Sequence, residues 1–428
     1  MLNTLINAFR EKEIRKKMLL TLLMLLVFRI GCYIPVPGLA SDSFTNLATN
    51  DFFSIMSTIT GGSLANGTLF ALGILPFINA FIIMQLLTLV IPPLDRLSKQ
   101  GEAGRKKITQ ITRYAAIGLA IIQGVGICLS WGADKFDATL GSTALSMALV
   151  IIMLVGGSCM VMWLADRITE YGVSNGTSLI IFVGILASAG QSLVAAIKDV
   201  GSGGDVSKKV WLIIAFLVIV VAVFAFIIFV DLAERRIKIQ YAKQIKGNKM
   251  YGGQSTHIPM KVNAGGVMPI IFASSFLMFP QMIASFWPES AFYQWWSRWL
   301  GIGSPIYVAA LCLLILFFAF FYSQIQFNPE DISRNIQQNG GFIPGIRPGR
   351  PTTDYLKRIN NRITLFGAIF LALISLVTSI LLPAVGTENK LGTAFSATGL
   401  LIVVSVAMEF DTQLQNQLMM KQYKGFLK

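Results

Sequence analysis

The sequence predicts an all-α polytopic membrane protein with ten transmembrane helices. Its 428 residues are 54% hydrophobic and only 13% charged, and ten long apolar stretches are separated by loops whose Lys and Arg content alternates. In a bilayer every backbone polar group has to be satisfied within the protein, and uninterrupted apolar runs of this length favour helices over the alternating strands of a barrel. The class is therefore a helical bundle that crosses the membrane several times.

The ten apolar stretches are each about as long as a bilayer is thick. At 1.5 Å per helical residue, a run of about 20 residues crosses a hydrocarbon core of roughly 30 Å. The first stretch is expected to be retained, because Arg29, Pro35 and Pro37 stand where a signal peptide would be cleaved. In chain order the predicted spans are 18–34, 73–91, 114–131, 143–164, 177–197, 210–230, 267–287, 305–325, 363–383 and 393–410.

Positive charge lies mainly on alternate loops, which predicts the orientation. Of the 35 Lys and Arg residues, 28 lie in the N-terminal segment, the even-numbered loops and the C-terminal segment. One odd-numbered loop holds Lys198, Lys208 and Lys209, but Asp199 and Asp205 accompany them. By the positive-inside rule both termini are cytoplasmic.

Two long even-numbered loops, 232–266 and 326–362, carry basic residues well beyond the span ends. Topology and attraction to anionic lipids explain the Lys and Arg residues beside the spans. Topology and lipid attraction explain the basic residues far from the spans less well. The chain as a whole is also strongly basic, with a net charge of +14. We therefore expect these loops to project from the membrane and to bind an acidic partner.

The sequence lacks the residue clusters that enzymes use. His257 is the only histidine, and the cysteines Cys32, Cys128, Cys159 and Cys312 are scattered in or beside apolar spans. No zinc cluster, Ser/His/Asp constellation or nucleotide-binding lysine motif can be assembled from this inventory. We expect no cofactor and no enzymatic activity, so directional transport would take its energy from a partner or an ion gradient.

Apart from Glu409 at the end of the tenth span, Arg29 is the only charged residue inside the ten spans. Gradient-coupled carriers bury ionisable groups at mid-membrane, and the sequence contains no such proton relay. The favoured interpretation of Arg29 is a snorkelling or helix-pairing side chain, and the alternative is a substrate site.

Residues 60–71 are rich in glycine, uncharged, and too short and too polar to cross a membrane. A re-entrant segment is tolerated at membrane depth only where protein or a water-filled cavity surrounds it. The segment therefore implies a cavity that opens to the outside.

The second and seventh spans contain several small and polar residues, among them Asn79, Gln85, Ser274 and Ser275. Such residues allow helices to pack closely. They also allow a weakly sealed seam that can separate, and both interpretations remain open.

Five motifs occur along the chain: FALGILPFI at 70–78, GEAGRKKI at 101–108, GVSNGTSLI at 172–180, QSTHIPMKVN at 254–263 and FIPGIRPG at 342–349. In order and spacing they resemble the SecY family, the channel subunits of the bacterial protein-translocating Sec complex. The resemblance extends from the N-terminal amphipathic stretch to the tenth span.

The resemblance implies two pseudo-symmetric, inverted halves of five helices, 1–205 and 206–428, around a central pore. Residues 60–71 would be a plug, with Gly61, Gly62, Ser63, Leu64, Ala65, Asn66, Gly67 and Thr68 at its centre. The pore would be narrowed by a ring of Ile74, Ile78, Thr177, Ile181, Ile271 and Ile402. Thr177 departs from the family's isoleucine, so either the ring tolerates one hydroxyl or the assignment slips by a turn there.

The resemblance also makes the seam a lateral gate, through which signal sequences and transmembrane segments enter the lipid. The gate residues would be Asn79, Gln85, Ser274, Ser275 and Phe279. The substrates would be signal sequences and unfolded preproteins, and the location would be the bacterial plasma (inner) membrane.

By the same resemblance, the basic loops would bind the motor ATPase SecA or a translating ribosome. The residues expected to make that contact are Arg347, Arg235, Arg236 and Lys249. Two small subunits, SecE and SecG, would brace the halves, and anionic lipids would surround the basic face.

Two other classes of protein compete with this interpretation. A secondary transporter of a small solute shares ten spans and broken helices, but it needs a polar site at mid-membrane and has no use for long basic loops. A membrane enzyme is disfavoured because the sequence lacks a catalytic inventory.

Overall fold

The computed structural model describes most of the chain. The described residues are 2–39, 56–131, 136, 143–200, 206–241, 244–246, 249–251, 255–263, 265–266, 268–285, 290–301, 304–386 and 397–426.

Helices dominate the described residues, and each of the ten predicted spans overlaps one of them. In chain order the helices are α1 (Leu2–Arg10), α2 (Lys12–Gly31), α3 (Leu75–Val90), α4 (Pro92–Ser98), α5 (Glu102–Trp131), α6 (Thr143–Tyr171), α7 (Gly176–Val200), α8 (Val206–Asp231), α9 (Met268–Ser285), α10 (Ala291–Leu300), α11 (Pro305–Gln326), α12 (Pro329–Gln338), α13 (Arg350–Gly386) and α14 (Ala397–Phe426). The spans fall on α2, α3, α5, α6, α7, α8, α9, α11, α13 and α14.

Among the described residues, six helices are long and apolar enough to cross a membrane, and a seventh is added if α3 and α4 count as one broken span. That pair bends by 104° where Pro92 and Pro93 follow the end of α3, because proline cannot continue the hydrogen bonding of a preceding helix. The apolar part of α9 is shorter, and Pro280 interrupts it. The chain is thus a multi-pass membrane protein, and the number of ten spans remains a prediction.

The central helices pack around one extended core. On one side α9 lies against α3 and α5, and on the other side α14 lies against α7 and α8. One hydrophobic cluster takes buried side chains from α2, α3, α5, α6, α7, α8, α9, α11, α13 and α14. The first and second halves of the chain therefore meet through α9 with α3 and α5, and through α7 with α8 and α14.

The loop 232–266 contains strands, which the all-α prediction missed. The strands are β1 (Glu234–Tyr241), β2 (Gln244–Lys246), β3 (Lys249–Tyr251) and β4 (Ser255–Lys261), and β5 (Gly341–Phe342) lies in the second long loop. β1 pairs antiparallel with β4 and with β5, while β2 pairs with β3. Ile237 and Ile239 alternate with exposed residues along β1, which is the pattern of a half-buried strand.

The three-stranded sheet joins the two long basic loops into one body. It buries Ile237, Met260 and Ile343 against Leu356 and Ile359 at the start of α13. The two loops are therefore a single surface at one end of the bundle, which we call the basic end.

Hydrogen bonds tie the basic end to the membrane helices. Asp231, the last residue of α8, accepts hydrogen bonds from the Asn263 amide at 2.8 Å and from the Ser405 hydroxyl of α14 at 3.1 Å. Within the bundle, Asn360 donates to Ser323, whose hydroxyl lies 2.7 Å from that of Thr364. These contacts join α8 to α14 and α11 to α13.

Candidate functional site

Five of the six predicted ring residues are buried in the core of the bundle. Ile74, Ile78, Ile181, Ile271 and Ile402 are each no more than 6% exposed and belong to the same hydrophobic cluster. They come from the start of α3 and from α7, α9 and α14, so both halves of the chain contribute. Branched aliphatic side chains without polar atoms offer water no hydrogen bonds there.

A cavity of about 190 Å³ ends at this cluster. Ile78, Ile181 and Ile271 line it together with Thr177. The other lining residues are Phe77, Phe81, Asp166, Thr169, Asn175, Ser178, Met268 and Phe272. Asp166, Thr169, Asn175, Thr177 and Ser178 are polar, so the lining combines polar side chains with apolar ones that include three of the predicted ring isoleucines.

Thr177 lines the cavity but lies at the polar margin of the ring. It is partly exposed, whereas Ile181, one turn further along α7, is buried. The backbone N–H of Thr177 donates to the Asn175 side chain at 3.1 Å, as expected at the start of a helix. The assignment of Thr177 to the ring therefore remains a prediction.

Residues 56–74 enter the bundle between α2, α6 and α7, and we call them the closing segment. Residues 56–59 form a helical turn, and Gly61, Gly62, Gly67 and Gly73 have positive φ angles that glycine adopts without steric cost. Most of the predicted plug residues here are buried, with Ser63 0% and Leu64 2% exposed, whereas Asn66 is exposed.

Hydrogen bonds hold the closing segment to its neighbours. On its return towards α3 it pairs with the chain that follows α2, through Val36 N–H to the Gly67 carbonyl at 3.1 Å and Leu69 N–H to the Ile34 carbonyl at 2.9 Å. On the α7 side, the Ser188 hydroxyl donates to a closing-segment carbonyl, that of Thr58, at 2.9 Å. These bonds satisfy backbone groups that would otherwise be costly to bury.

Two glycines of the bundle let the closing segment approach closely. A Cβ atom at Gly184 of α7 would collide with the Ile59 carbonyl oxygen, and one at Gly157 of α6 would collide with the Leu69 carbonyl oxygen. The segment is therefore packed directly on the backbones of these helices.

The predicted seam lies where α9 meets α3 and α5. A small cavity of about 20 Å³ is lined there by Asn79 of α3 and by Ser275 and Phe279 of α9. Met56 of the closing segment and Gln123 of α5 also line it, with Leu75 and Met278. Polar side chains thus face each other across a line of contact that is otherwise apolar.

Two predicted gate residues do not line this seam cavity. Ser274 is buried, and its hydroxyl donates back to the Ile271 carbonyl of its own helix at 3.0 Å. Gln85 lies in the second half of α3, where its buried side-chain oxygen has no hydrogen-bond partner among the described residues. Both assignments remain predictions.

Gln123 is a seam residue that sequence reasoning missed. It is 1% exposed, and its side-chain oxygen has no partner among the described residues. An amide in the middle of an apolar span was the available signal, since such groups are expensive in a membrane unless they are paired or functional.

Arg347 is held at the surface of the basic end by a structured loop. Ile343 is buried beneath it, and the Ile346 N–H donates to the Ile343 carbonyl at 3.0 Å. The Thr352 hydroxyl donates to the Arg347 carbonyl at 2.9 Å. The side chain of Arg347 is exposed, so the fold fixes its backbone and presents its guanidinium to the solvent.

The other predicted contact residues lie on the same body. Arg235 and Arg236 are exposed on β1, and Arg236 forms a 2.7 Å ion pair with Glu234. Lys249 lies on β3. An exposed ion pair is weak, so Arg236 remains able to exchange Glu234 for another anion.

Comparison with known proteins gives consistent results along the whole chain. A family model described as SecY matches residues 68–410. The protein translocase subunit SecY of Streptomyces galbus is 41% identical over 447 residues and covers 100% of both chains. The SecY subunit of Thermus thermophilus is 39% identical, over 100% of this chain and 98% of its own length.

Solved structures share the fold. A structure described as a protein-conducting channel superposes with a TM-score of 0.68 at 21% identity, over 94% of this chain and 91% of the other. Sec61 in a canine ribosome–channel complex from the endoplasmic reticulum superposes with a TM-score of 0.63 at 20% identity, over the same shares of the two chains.

Replacing ring isoleucines by asparagine tests the role of the buried cluster. Ile271→Asn or Ile402→Asn places an amide in the apolar constriction, which favours a wetted state by about 1–3 kcal/mol. We expect the resting ion conductance in planar bilayers to rise by about tenfold. Ile325→Asn, at an exposed position near the end of α11, is the matched control. Unchanged conductance in both ring variants would count against the assignment of the pore.

Proposed function

The chain belongs to the SecY family, and from this we propose that it forms the protein-conducting channel of a bacterial Sec translocase. It translocates unfolded secretory polypeptides across the plasma membrane and releases signal sequences and transmembrane segments sideways into the bilayer. Its ten spans form two inverted halves, 1–205 and 206–428, and both termini lie in the cytoplasm. The family membership favours this function over a secondary transporter of a small solute.

The observation that carries the proposal is the unequal contact between the halves. On one side α9 meets α3 and α5 around a mainly apolar cavity that the polar residues Asn79, Gln123 and Ser275 also line, whereas elsewhere α7, α8 and α14 pack together. The buried cluster of Phe216, Val220 and Leu400 with Ala196 is entirely apolar at that second contact. We infer that the α9 seam opens while the α7–α8–α14 contact acts as the hinge.

The isoleucine ring explains how such a channel can be both tight and unselective. Apolar side chains exclude water and ions from a narrow closed pore by dewetting. The same side chains offer a passing polypeptide no hydrogen bonds, so its sequence matters little. Passage of many different chains through one opening follows from this chemistry.

The basic end supports docking of an energy-supplying partner. Arg235 and Arg236 are exposed on a strand of the sheet that joins the two loops, and Arg347 is exposed on a loop whose backbone is hydrogen-bonded. A guanidinium can bind carboxylate or phosphate with two parallel hydrogen bonds. The partner is the motor ATPase SecA or a ribosome, and a ribosome complex is named for the similar canine Sec61.

Smaller partners complete the proposed assembly. SecE and SecG brace the two halves, and anionic lipids neutralise the basic residues beside the spans. Signal sequences bind the open seam better than the closed one and so shift the channel towards its open state.

A cross-link across the seam tests lateral opening. Cysteines at Asn79 and Phe279, which line the same cavity, should form a short link in a background free of the four native cysteines. The short link should stop membrane insertion and export in reconstituted vesicles, and a link long enough to span an open seam should restore both. A fully formed short link that leaves export at its normal rate would rule out opening along this seam.

Reversing the charge of Arg347 tests docking. Arg347→Glu alters an exposed side chain, so abundance and folding should persist. Translocation should fall by about tenfold or more, because a lost and reversed charge contact in an interface costs at least about 2 kcal/mol. Arg298→Glu makes the same charge change at an exposed position of α10, outside the basic end, and serves as the control. Normal export by the Arg347 variant would mean that this side chain is only solvated.

A further inference from the structure

Arg29 binds the closing segment. It lies near the end of α2, and its Nη1 donates to the backbone carbonyl of Gly61, 32 residues further along the chain, at 2.9 Å. The guanidinium therefore contacts the closing segment, a partner that neither sequence interpretation of Arg29 named.

The guanidinium of Arg29 is oriented by a second set of contacts. It lies 5.2 Å from the centre of the Tyr33 ring, and Nη2 donates to the Tyr33 hydroxyl at 3.3 Å. The Gln191 amide of α7 donates to the same hydroxyl at 3.3 Å. Arg29 is thus held between its own helix and α7, with one nitrogen aimed at Gly61.

The backbone conformation of Gly61 and its lack of a side chain allow this contact. Its φ of +72° is a backbone conformation that other residues rarely adopt, and a Cβ atom there would lie 2.7 Å from Arg29 Nη1 and 3.2 Å from the Gly184 Cα atom. Only glycine lets the carbonyl of this buried turn lie between α2 and α7 within reach of the guanidinium.

We propose that Arg29 is a positioning residue that latches the closing segment in place, so that its hydrogen bond to Gly61 sets the threshold for opening the channel. The inference rests on the proposed function of residues 60–71 as the plug. A charge-assisted hydrogen bond in a partly buried site is stronger than a neutral one, and the carbonyl of Gly61 is a ligand the arginine loses when the segment leaves.

The latch is separate from the seam. Its residues, Arg29, Tyr33, Gly61 and Gln191, lie on α2, on the chain that follows it, on the closing segment and on α7, whereas the seam lies between α9, α3 and α5. Parting the seam does not itself break these four contacts, although Met56 of the closing segment lines the seam cavity. The closed state therefore has two constraints, and the entering polypeptide breaks the second one after the signal sequence has opened the first.

Thiol labelling of Ser63→Cys measures release of the closing segment directly. Ser63 is fully buried, so an added cysteine reacts only when the segment moves. The full chain, without its native cysteines, is placed in nanodiscs, which expose both membrane faces to an impermeant thiol reagent. Arg29→Met should raise the labelling rate by about tenfold, the factor expected for losing one hydrogen bond to a charged group.

Companion variants separate the latch from general damage. Gly61→Ala should also raise the labelling rate. The labelling rate of the double variant, Arg29→Met with Gly61→Ala, should exceed that of either single variant by little, because both substitutions remove the same contact. Arg29→Lys keeps the charge but lacks the planar guanidinium, so its labelling rate should lie between those of the unsubstituted protein and Arg29→Met. Arg167→Met is the matched control, since Arg167 also lies over aromatic rings, at 5.6 Å from Trp163, but on α6 away from the closing segment.

The outcomes distinguish the latch from the plug. Unchanged labelling in Arg29→Met, or fully additive effects of Arg29→Met and Gly61→Ala, overturns the latch. A lower yield of the Asn79–Phe279 cross-link in Arg29→Met also overturns it, because Arg29 would then act on the seam or on folding. Faster labelling with unchanged ion conductance supports the latch and instead contradicts the sealing role of residues 60–71.

Discussion

The structure depends on one constraint: a non-helical segment inside a membrane protein has to find partners for its backbone within the protein. The closing segment satisfies this constraint in two ways. Its backbone carbonyls accept hydrogen bonds from Arg29 and Ser188, and its backbone forms a short pairing with the chain after α2. Water is scarce at that depth, and each unsatisfied group would cost several kcal/mol. The surrounding helices are built to supply these partners, through glycines where the backbones touch and polar side chains where a carbonyl needs a donor.

In the channel that we propose, closure results from two different kinds of chemistry. The isoleucine cluster would exclude water because its side chains are apolar, and the closing segment is held in place by hydrogen bonds. The isoleucine cluster can adapt to any passing chain, whereas the closing segment is released when a defined hydrogen bond breaks. A channel that must seal against ions and yet pass polypeptides of any sequence benefits from having both.

Much of the fold was accessible from hydropathy, and the missed features have physical reasons. All ten predicted spans overlap helices, and the short glycine-rich stretch was recognised because it was too polar to span. The strand β1 was missed because its alternation of apolar and polar residues, at Ile237 and Ile239, is short. Charged residues surround it, so the mean hydropathy of the segment hides the pattern. The partner of Arg29 could not be predicted, since it depends on a carbonyl 32 residues away and only the fold brings the two together.

The route of a translocating chain through the isoleucine ring is the central claim, and disulfide mapping tests it most directly. A precursor stalled in mid-passage, carrying one cysteine at its midpoint, is offered Ile78→Cys or Ile402→Cys in a background free of native cysteines. The lipid-facing position Leu313→Cys on α11, 66% exposed, is the control. We predict disulfides to both ring positions and none to position 313. Bonds to position 313 without bonds to the ring would contradict the account.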